Sequence, residues 1–131
     1  MNELLMSTPG DHYNWPMLKI RYCTTEAAVA AVLPPGFGLG SRPEVTLTVY
    51  NVPVNGQPEQ GLLSTVACNY KGQEGQFALG YAIDKEAEIF ISQEKFGQPK
   101  YPAEIKYFRL MDQIGARVTH QNYTFLEFVG H

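Results

Sequence analysis

Ser92-Gln93-Glu94-Lys95-Phe96-Gly97-Gln98-Pro99-Lys100-Tyr101-Pro102 sets one lysine, Lys100, between two prolines and directly before an aromatic residue. Proline fixes φ and removes a backbone donor, so the stretch reads as a stiff, extended loop. Phe96, Pro99, Tyr101 and Pro102 are the neighbours that can shield the amine from water. Desolvation favours the neutral amine, and a neutral lysine is a nucleophile toward carbonyls. Most lysines are solvated, and one beside prolines ordinarily decorates a loop. What raises Lys100 above that reading lies in the rest of the chain.

Upstream of this stretch, Asp84 is a fair N-cap for a helix over residues 85–94, which Glu94 closes. Downstream, residues 103–110 and 117–129 read as strands joined around residues 112–115. Toward the N-terminus, Leu18, Ile20 and Tyr22 alternate with Lys19 and Arg21, the pattern of a half-buried strand. Thr24 or Thr25 can cap a short helix over residues 26–33, which stops at Pro34-Pro35. The glycine-rich segment 36–40 follows a helix instead of opening one, so it reads as a turn and not as a phosphate cradle. Residues 44–52 alternate Val45, Leu47 and Val49 against Thr46, Thr48 and Tyr50, as in a strand. Residues 53–58 read as a loop with the hairpin dipeptide Asn55-Gly56, and Glu59 stands in the loop before Leu62. Residues 62–70 and 76–83 read as strands around a tight turn at 71–75, and residues 1–16 as irregular with a turn at Pro9-Gly10. The expectation is a mainly β (α+β) domain over residues 1–131, an antiparallel sheet with two short helices. Its last strand runs nearly to the end of the chain and wants a partner on its outer edge.

Composition bounds the function. The chain has 131 residues, 44% of them apolar and 12% aromatic, enough for one domain with a core. A net charge of −3 without a basic run argues against nucleic acid as a partner. No apolar run reaches the length of a membrane span, and the first residues lack the pattern of a signal peptide. Cys23 and Cys68 form no CxxC and read as reduced, buried thiols of a cytoplasmic protein. His12, His120 and His131 show no ligand spacing, so no metal is expected, and no Gly-x-Ser-x-Gly elbow is present. Glu86 with Glu88 reads as a solvated helix face. Glu59 and Glu94 are residue types found more often on surfaces than in catalysis.

From Lys19 onward the chain resembles the acetoacetate decarboxylase family. Ile20-Arg21-Tyr22-Cys23-Thr24-Thr25-Glu26-Ala27, then Leu33-Pro34, is similar to the family's strand, Tyr-x-Thr-Asp turn, helix and Leu/Val-Pro end. Pro43-Glu44-Val45-Thr46-Leu47-Thr48-Val49-Tyr50-Asn51-Val52-Pro53 is similar to the strand that follows. Gly72-Gln73-Glu74-Gly75-Gln76-Phe77, and then Tyr81-Ala82-Ile83-Asp84, resemble the glycine turn and hydrophobic strand. From Asp84 the chain aligns without a gap to the family's helix and its Gly-Arg-Glu-x-x-Gly/Ala-x-Pro-Lys-Lys loop. The Schiff-base lysine of that loop falls on Lys100. The resemblance covers residues 17–129 and rests on the order and spacing of these pieces together.

The departures bear on the chemistry. Tyr101 stands where the family has a second lysine, and Ser92-Gln93-Glu94 replaces Gly-Arg-Glu. An early arginine of the family falls near Trp15. One family glutamate lands on Thr48, and the other on Glu59 if a two-residue insertion is allowed. Family chains are about twice as long, so the resemblance implies a double β-cone fold or half of one. The chain would be a truncated product, one subunit of a heteromer, or a half-size relative that dimerises.

The resemblance implies a Schiff-base lyase, without cofactor or metal, acting on a keto acid or β-dicarbonyl compound. Decarboxylation is the default reaction, with aldolase, dehydratase or cyclase chemistry as variants. Lys100 and Glu59 would be catalytic, and Tyr101, Phe96, Glu94, Trp15 and Thr48 would meet the substrate. A noncatalytic small-molecule-binding protein or subunit, or a structural fragment, are the competing readings. The partners implied are a small keto acid and a second chain, in a homo-oligomer or a heteromer, with no membrane and no nucleic acid.

Overall fold

The computed structural model describes residues 17–54 and 56–131, so the expectations for residues 1–16, Trp15 included, and for Asn55 lie outside the described residues. The order is β1 (Met17–Cys23), α1 (Glu26–Val32), β2 (Phe37–Leu39), β3 (Glu44–Val54), β4 (Gln57–Tyr70), β5 (Gln73–Ile83), α2 (Glu86–Phe96), β6 (Lys100–Pro102), β7 (Glu104–Leu110), β8 (Gln113–His120) and β9 (Tyr123–Gly130). The protein is mainly β with two short helices, as its alternating apolar pattern predicts. The strands form two sheets. The larger runs β1-β3-β4-β5-β6 with β2 paired to β4, and the smaller runs β7-β8-β9. All pairings are antiparallel except β5 with β6, which is parallel because α2 carries the chain back.

Burial of apolar side chains between the sheets holds them together. Val49, Leu62 and Ala82 from the larger sheet meet Ile105, Ala116 and Val118 from the smaller. A second cluster seats Val29 of α1 on Val45 and Val66. Thr25, not Thr24, caps α1: its Oγ1 accepts from the Ala28 N–H at 3.2 Å. At the other end of the chain's second helix, Gly97 at φ 63° closes α2, and the Gly97 N–H donates to the Gln93 carbonyl. The left-handed turn is one that glycine makes at no steric cost.

Several boundaries differ from the sequence reading. The expected loop at 53–58 is a tight hairpin. β3 runs on to Val54 and β4 starts at Gln57, with Gly56 at φ 76°. Pro53 faces Pro58 across it, one rung beyond the hydrogen-bonded pair that closes a two-residue hairpin. At that rung neither residue needs to donate, which is why two prolines fit. Glu59 therefore sits on a strand and not in a loop. The segment 36–40 contains β2, which pairs with the end of β4. Asp84 does not cap α2: its carboxylate accepts from the Gln60 N–H at 3.0 Å, and α2 starts after Lys85 without a side-chain cap. The single strand expected over 117–129 is two, because Gln121 and Asn122 both take positive φ and turn the chain. Cys68 is buried as expected, whereas Cys23 is exposed, at the end of the edge strand β1 with Arg42 Nη2 3.5 Å from its sulfur.

Candidate functional site

The site is written in the register of the larger sheet. Residues paired across neighbouring strands share a face, and successive residues along a strand point to opposite faces. Thr48 pairs with Leu63, Tyr50 with Gly61 and Val52 with Glu59. Leu63 pairs with Tyr81, and Tyr81 with Lys100. Thr48, Tyr50, Glu59, Tyr81 and Lys100 thus share the face that looks away from the smaller sheet. Tyr101, one residue on, points the other way. Its ring packs on the core cluster and meets His120 edge-on at 5.2 Å.

The local backbone makes the arrangement possible. A Cβ at position 61 would land on the Tyr50 ring, so Gly61 is what lets that ring lie across β4. From there the Tyr50 hydroxyl donates to Glu59 Oε2 at 3.1 Å. Both are buried, Tyr50 with 4% of its surface exposed and Glu59 with 5%. The Tyr81 ring meets the Tyr50 ring edge-on, with centroids 6.0 Å apart. Lys100 Nζ stands over the Tyr81 ring, 5.0 Å from its centroid. Lys100, Tyr81, Tyr50 and Glu59 so form a continuous series of contacts on one face.

Lys100 is not in a free loop, as its prolines suggest, but in a short parallel strand. The Tyr81 N–H donates to the Pro99 carbonyl at 2.9 Å and the Lys100 N–H to the Gln98 carbonyl at 2.8 Å. Gln93 Nε2 of α2 donates to the Lys100 carbonyl at 2.7 Å. The helix before the lysine is therefore the clamp that fixes its strand.

Electrostatics single out the phenols. Burial, then the Tyr81 phenol and Glu59, push the Tyr50 hydroxyl far above the usual tyrosine range. Burial also raises Tyr81, partly offset by its contact with Tyr50 and reinforced by the Glu59 charge. Both stay protonated through the physiological range. Glu59 Oε1 is buried and has no hydrogen-bond partner. A buried carboxylate oxygen without a donor is costly.

The structure brings Lys100, Glu59 and Thr48 to one face, and Thr48 is half-buried there. It does not bring Phe96 or Glu94 to them: both are exposed on the last turn of α2, Phe96 at 71%. The aromatic ring beside the amine is therefore that of Tyr81 and not that of Phe96. Tyr101 supports Lys100 from the opposite face. Reading the sequence for chemistry missed Tyr50, Gly61 and Tyr81. For Tyr50 a signal was present, in the alternation that puts it on the face of Thr48; Gly61 and Tyr81 join it only through the register between strands. Lys100 also borders a cavity of about 640 Å³ between α2, β6 and the β8–β9 turn, walled by Asp84, Glu86, Phe90 and His120 among others. Glu59 and Tyr81 do not line it. Among the described residues no cluster of His, Cys, Asp or Glu could hold a metal ion, and no helix is long and apolar enough to cross a membrane.

The fold is found in known proteins. An acetoacetate decarboxylase from Legionella pneumophila superposes with a TM-score of 0.74 and 25% identity, over 93% of this chain and 53% of that one. The enduracididine biosynthesis enzyme MppR, complexed with the condensation product of pyruvate and imidazole 4-carboxaldehyde, gives a TM-score of 0.70 at 12% identity, over 85% of this chain and 51% of that one. An acetoacetate decarboxylase-like enzyme from Sphingomonas wittichii gives 0.67 at 17% identity, over 82% of this chain and 51% of that one. The chain thus spans about half the length of these relatives. No curated protein sequence matches it significantly. The sequence profile of the family described as acetoacetate decarboxylase matches residues 3–131, and the chain belongs to that family.

Proposed function

We propose that Lys100 is the imine-forming nucleophile of a lyase acting on a small keto acid or β-dicarbonyl compound, with decarboxylation as its default reaction. The observation that carries this is the contact series from the Lys100 amine through Tyr81 and Tyr50 to the buried, half-partnered Glu59. The neutral amine adds to the ketone carbon, and the carbonyl oxygen takes up a proton. A second proton, taken up by its hydroxyl, lets the carbinolamine lose water and leaves a cationic imine. In a β-keto acid, whose carboxylate is on the carbon beside the imine, the electron pair of the bond to the carboxylate then moves toward the imine nitrogen, carbon dioxide departs, and an enamine remains. Protonation at carbon and hydrolysis return the ketone and the lysine. Glu59 does not line the cavity beside Lys100, so its proposed part is to pass a proton from the Tyr50 side of the face, where its oxygen lies in a water-poor site. A cavity of about 640 Å³ beside Lys100 is ample for a small keto acid.

Condensation is the second reading. Tyr101 replaces the second lysine of the family and turns into the core, so no neighbouring ammonium on that residue assists the site. MppR, with the same fold, binds a condensation product of pyruvate and an aldehyde.

We place the chemistry in the cytoplasm, in keeping with two free cysteines, and in an oligomer. β9 is an edge strand of the smaller sheet, with Tyr123, Phe125 and Val129 exposed at 71%, 42% and 59%. Such an edge invites a second chain.

The test is borohydride trapping with a panel of keto acids, read by intact mass and peptide mapping, with sedimentation of the same sample. A reduced adduct on Lys100 that is absent from a folded Lys100→Ala variant is the expected result. Equal turnover by Lys100→Ala would overturn the reading. Full adduct yield from a monomer would remove the partner chain.

A further inference from the structure

We infer that Tyr81 is a positioning residue for the reacting nitrogen, and that it acts through the face of its ring. The inference rests on the imine chemistry proposed above. Lys100 Nζ lies 5.0 Å from the centroid of the Tyr81 ring, within the range in which a cation is drawn to the negative face of an aromatic. The pair is built in and not incidental. Tyr81 and Lys100 are direct partners in the parallel ladder, and the backbone on either side is pinned by Pro99, Gln98 and Gln93. The Tyr50 ring also meets the Tyr81 ring edge-on, at 83° to it.

A second pair in the molecule supplies the contrast. Lys71 Nζ lies 5.2 Å from the Tyr70 ring, nearly the same distance, but both residues are exposed at the β4–β5 turn. Lys100 and Tyr81 are half-buried. Less water competes for the charge, so the ring counts for more there.

The chemistry gives the ring a task. When the hydroxyl of the carbinolamine takes up a proton and leaves as water, a positive charge appears on the nitrogen. A ring already in place under that atom stabilises the cationic imine against the uncharged carbinolamine before it and the uncharged enamine after it. Tyr81 therefore holds the electron sink at the moment it is needed. The phenol hydroxyl is not required for this; the negative face is.

The experiment replaces Tyr81 by phenylalanine and then by progressively fluorinated phenylalanines, which keep the shape and weaken the negative face. Each protein is incubated with pyruvate over a range of concentrations, quenched with borohydride and mapped. Tyr81→Phe is expected to stay within about twofold of the parent, because the ring face is kept. The apparent constant for adduct formation on Lys100 is expected to fall steadily with fluorination, to about tenfold below the parent. Tyr81→Leu, checked for folding by circular dichroism, should match the end of that series. A flat series, with the parent forming the adduct, would overturn the role of Tyr81 and leave the proposed function standing. A loss in Tyr81→Phe equal to that in Tyr81→Leu would also overturn it, since the hydroxyl would then be the active part. No adduct on Lys100 in the parent would remove the proposed function and this inference together.

Discussion

Lys100 and Tyr101 are neighbours in sequence and leave β6 in opposite directions. On the Tyr101 side the larger sheet presents Val49, Leu62 and Ala82 to the smaller sheet, with Gln60 Oε1 accepting from the Tyr107 N–H at 3.0 Å. On the Lys100 side the same strands present the buried Tyr50 and Glu59 and the half-buried Tyr81, beside the buried Val52 and Ile83. The first face is what burial alone selects. The second accepts desolvation of a carboxylate and two phenols, which burial alone disfavours. One sheet therefore has a face that meets the smaller sheet and a face that carries the polar groups of the proposed chemistry.

The comparison is tested most severely on the face that meets the smaller sheet. Leu62 has 1% of its surface exposed and lies between the two sheets. Leu62→Ala should cost about 2–5 kcal/mol, from lost transfer energy and the cavity left behind. Urea unfolding measures this. The variant that remains folded should still form the Lys100 adduct. Loss of the adduct at full folding would mean that the two faces are not separable.

The face that meets the smaller sheet was the more legible one in the sequence. Val45, Leu47 and Val49 against Thr46, Thr48 and Tyr50 is a period that only a strand satisfies, and β3 is there. The errors fell where local chemistry is ambiguous. Pro53 and Pro58 read as a loop because proline cannot donate, yet their pairing places both where no donor is needed. Gln121-Asn122 is not a strong turn dipeptide, so the hairpin between β8 and β9 was read through as one strand. The chemical face was legible only in part. Lys100 stood out by its prolines and by resemblance. Tyr50 and Tyr81 did not, because their meeting depends on a register between strands far apart in sequence and on the bare backbone at Gly61.

A smaller effect is expected at Tyr50. Tyr50→Phe removes the hydrogen bond that the buried Glu59 carboxylate accepts from Tyr50 and should cost about 1–3 kcal/mol. Its dependence on pH sharpens the comparison. Tyr50 and Tyr81 hold their protons more tightly in the folded protein than in the unfolded chain, where tyrosine titrates near ~10. Their contribution to stability is thus complete below that pH and is lost as pH rises above it, by about 1.4 kcal/mol per pH unit for each phenol. Denaturant titrations above that point should show this slope, and Tyr50→Phe should flatten it by the share of one phenol. Burial raises Tyr101 as well, on the other face, so part of the slope will survive. An unchanged slope in Tyr50→Phe would mean that the phenol is not held as the contacts indicate.

The smallest change in stability is expected where the effect on chemistry is still clear. Glu59→Gln keeps the shape of the side chain and lets its carbonyl oxygen accept from Tyr50, while it removes a charge that is 5% exposed and has one oxygen without a donor. The desolvation relieved should offset any weakening of the Tyr50 bond, so stability should stay within about 1 kcal/mol of the parent or rise. Turnover should fall, by less than in Lys100→Ala, because a neutral amide cannot take up a proton. Thermal unfolding and rate measurements on the same preparation decide between two accounts of Glu59. A variant that loses stability and keeps its rate would make Glu59 part of the folding machinery. A variant that keeps stability and loses rate would mean that the chain tolerates a half-satisfied carboxylate because the reaction uses it.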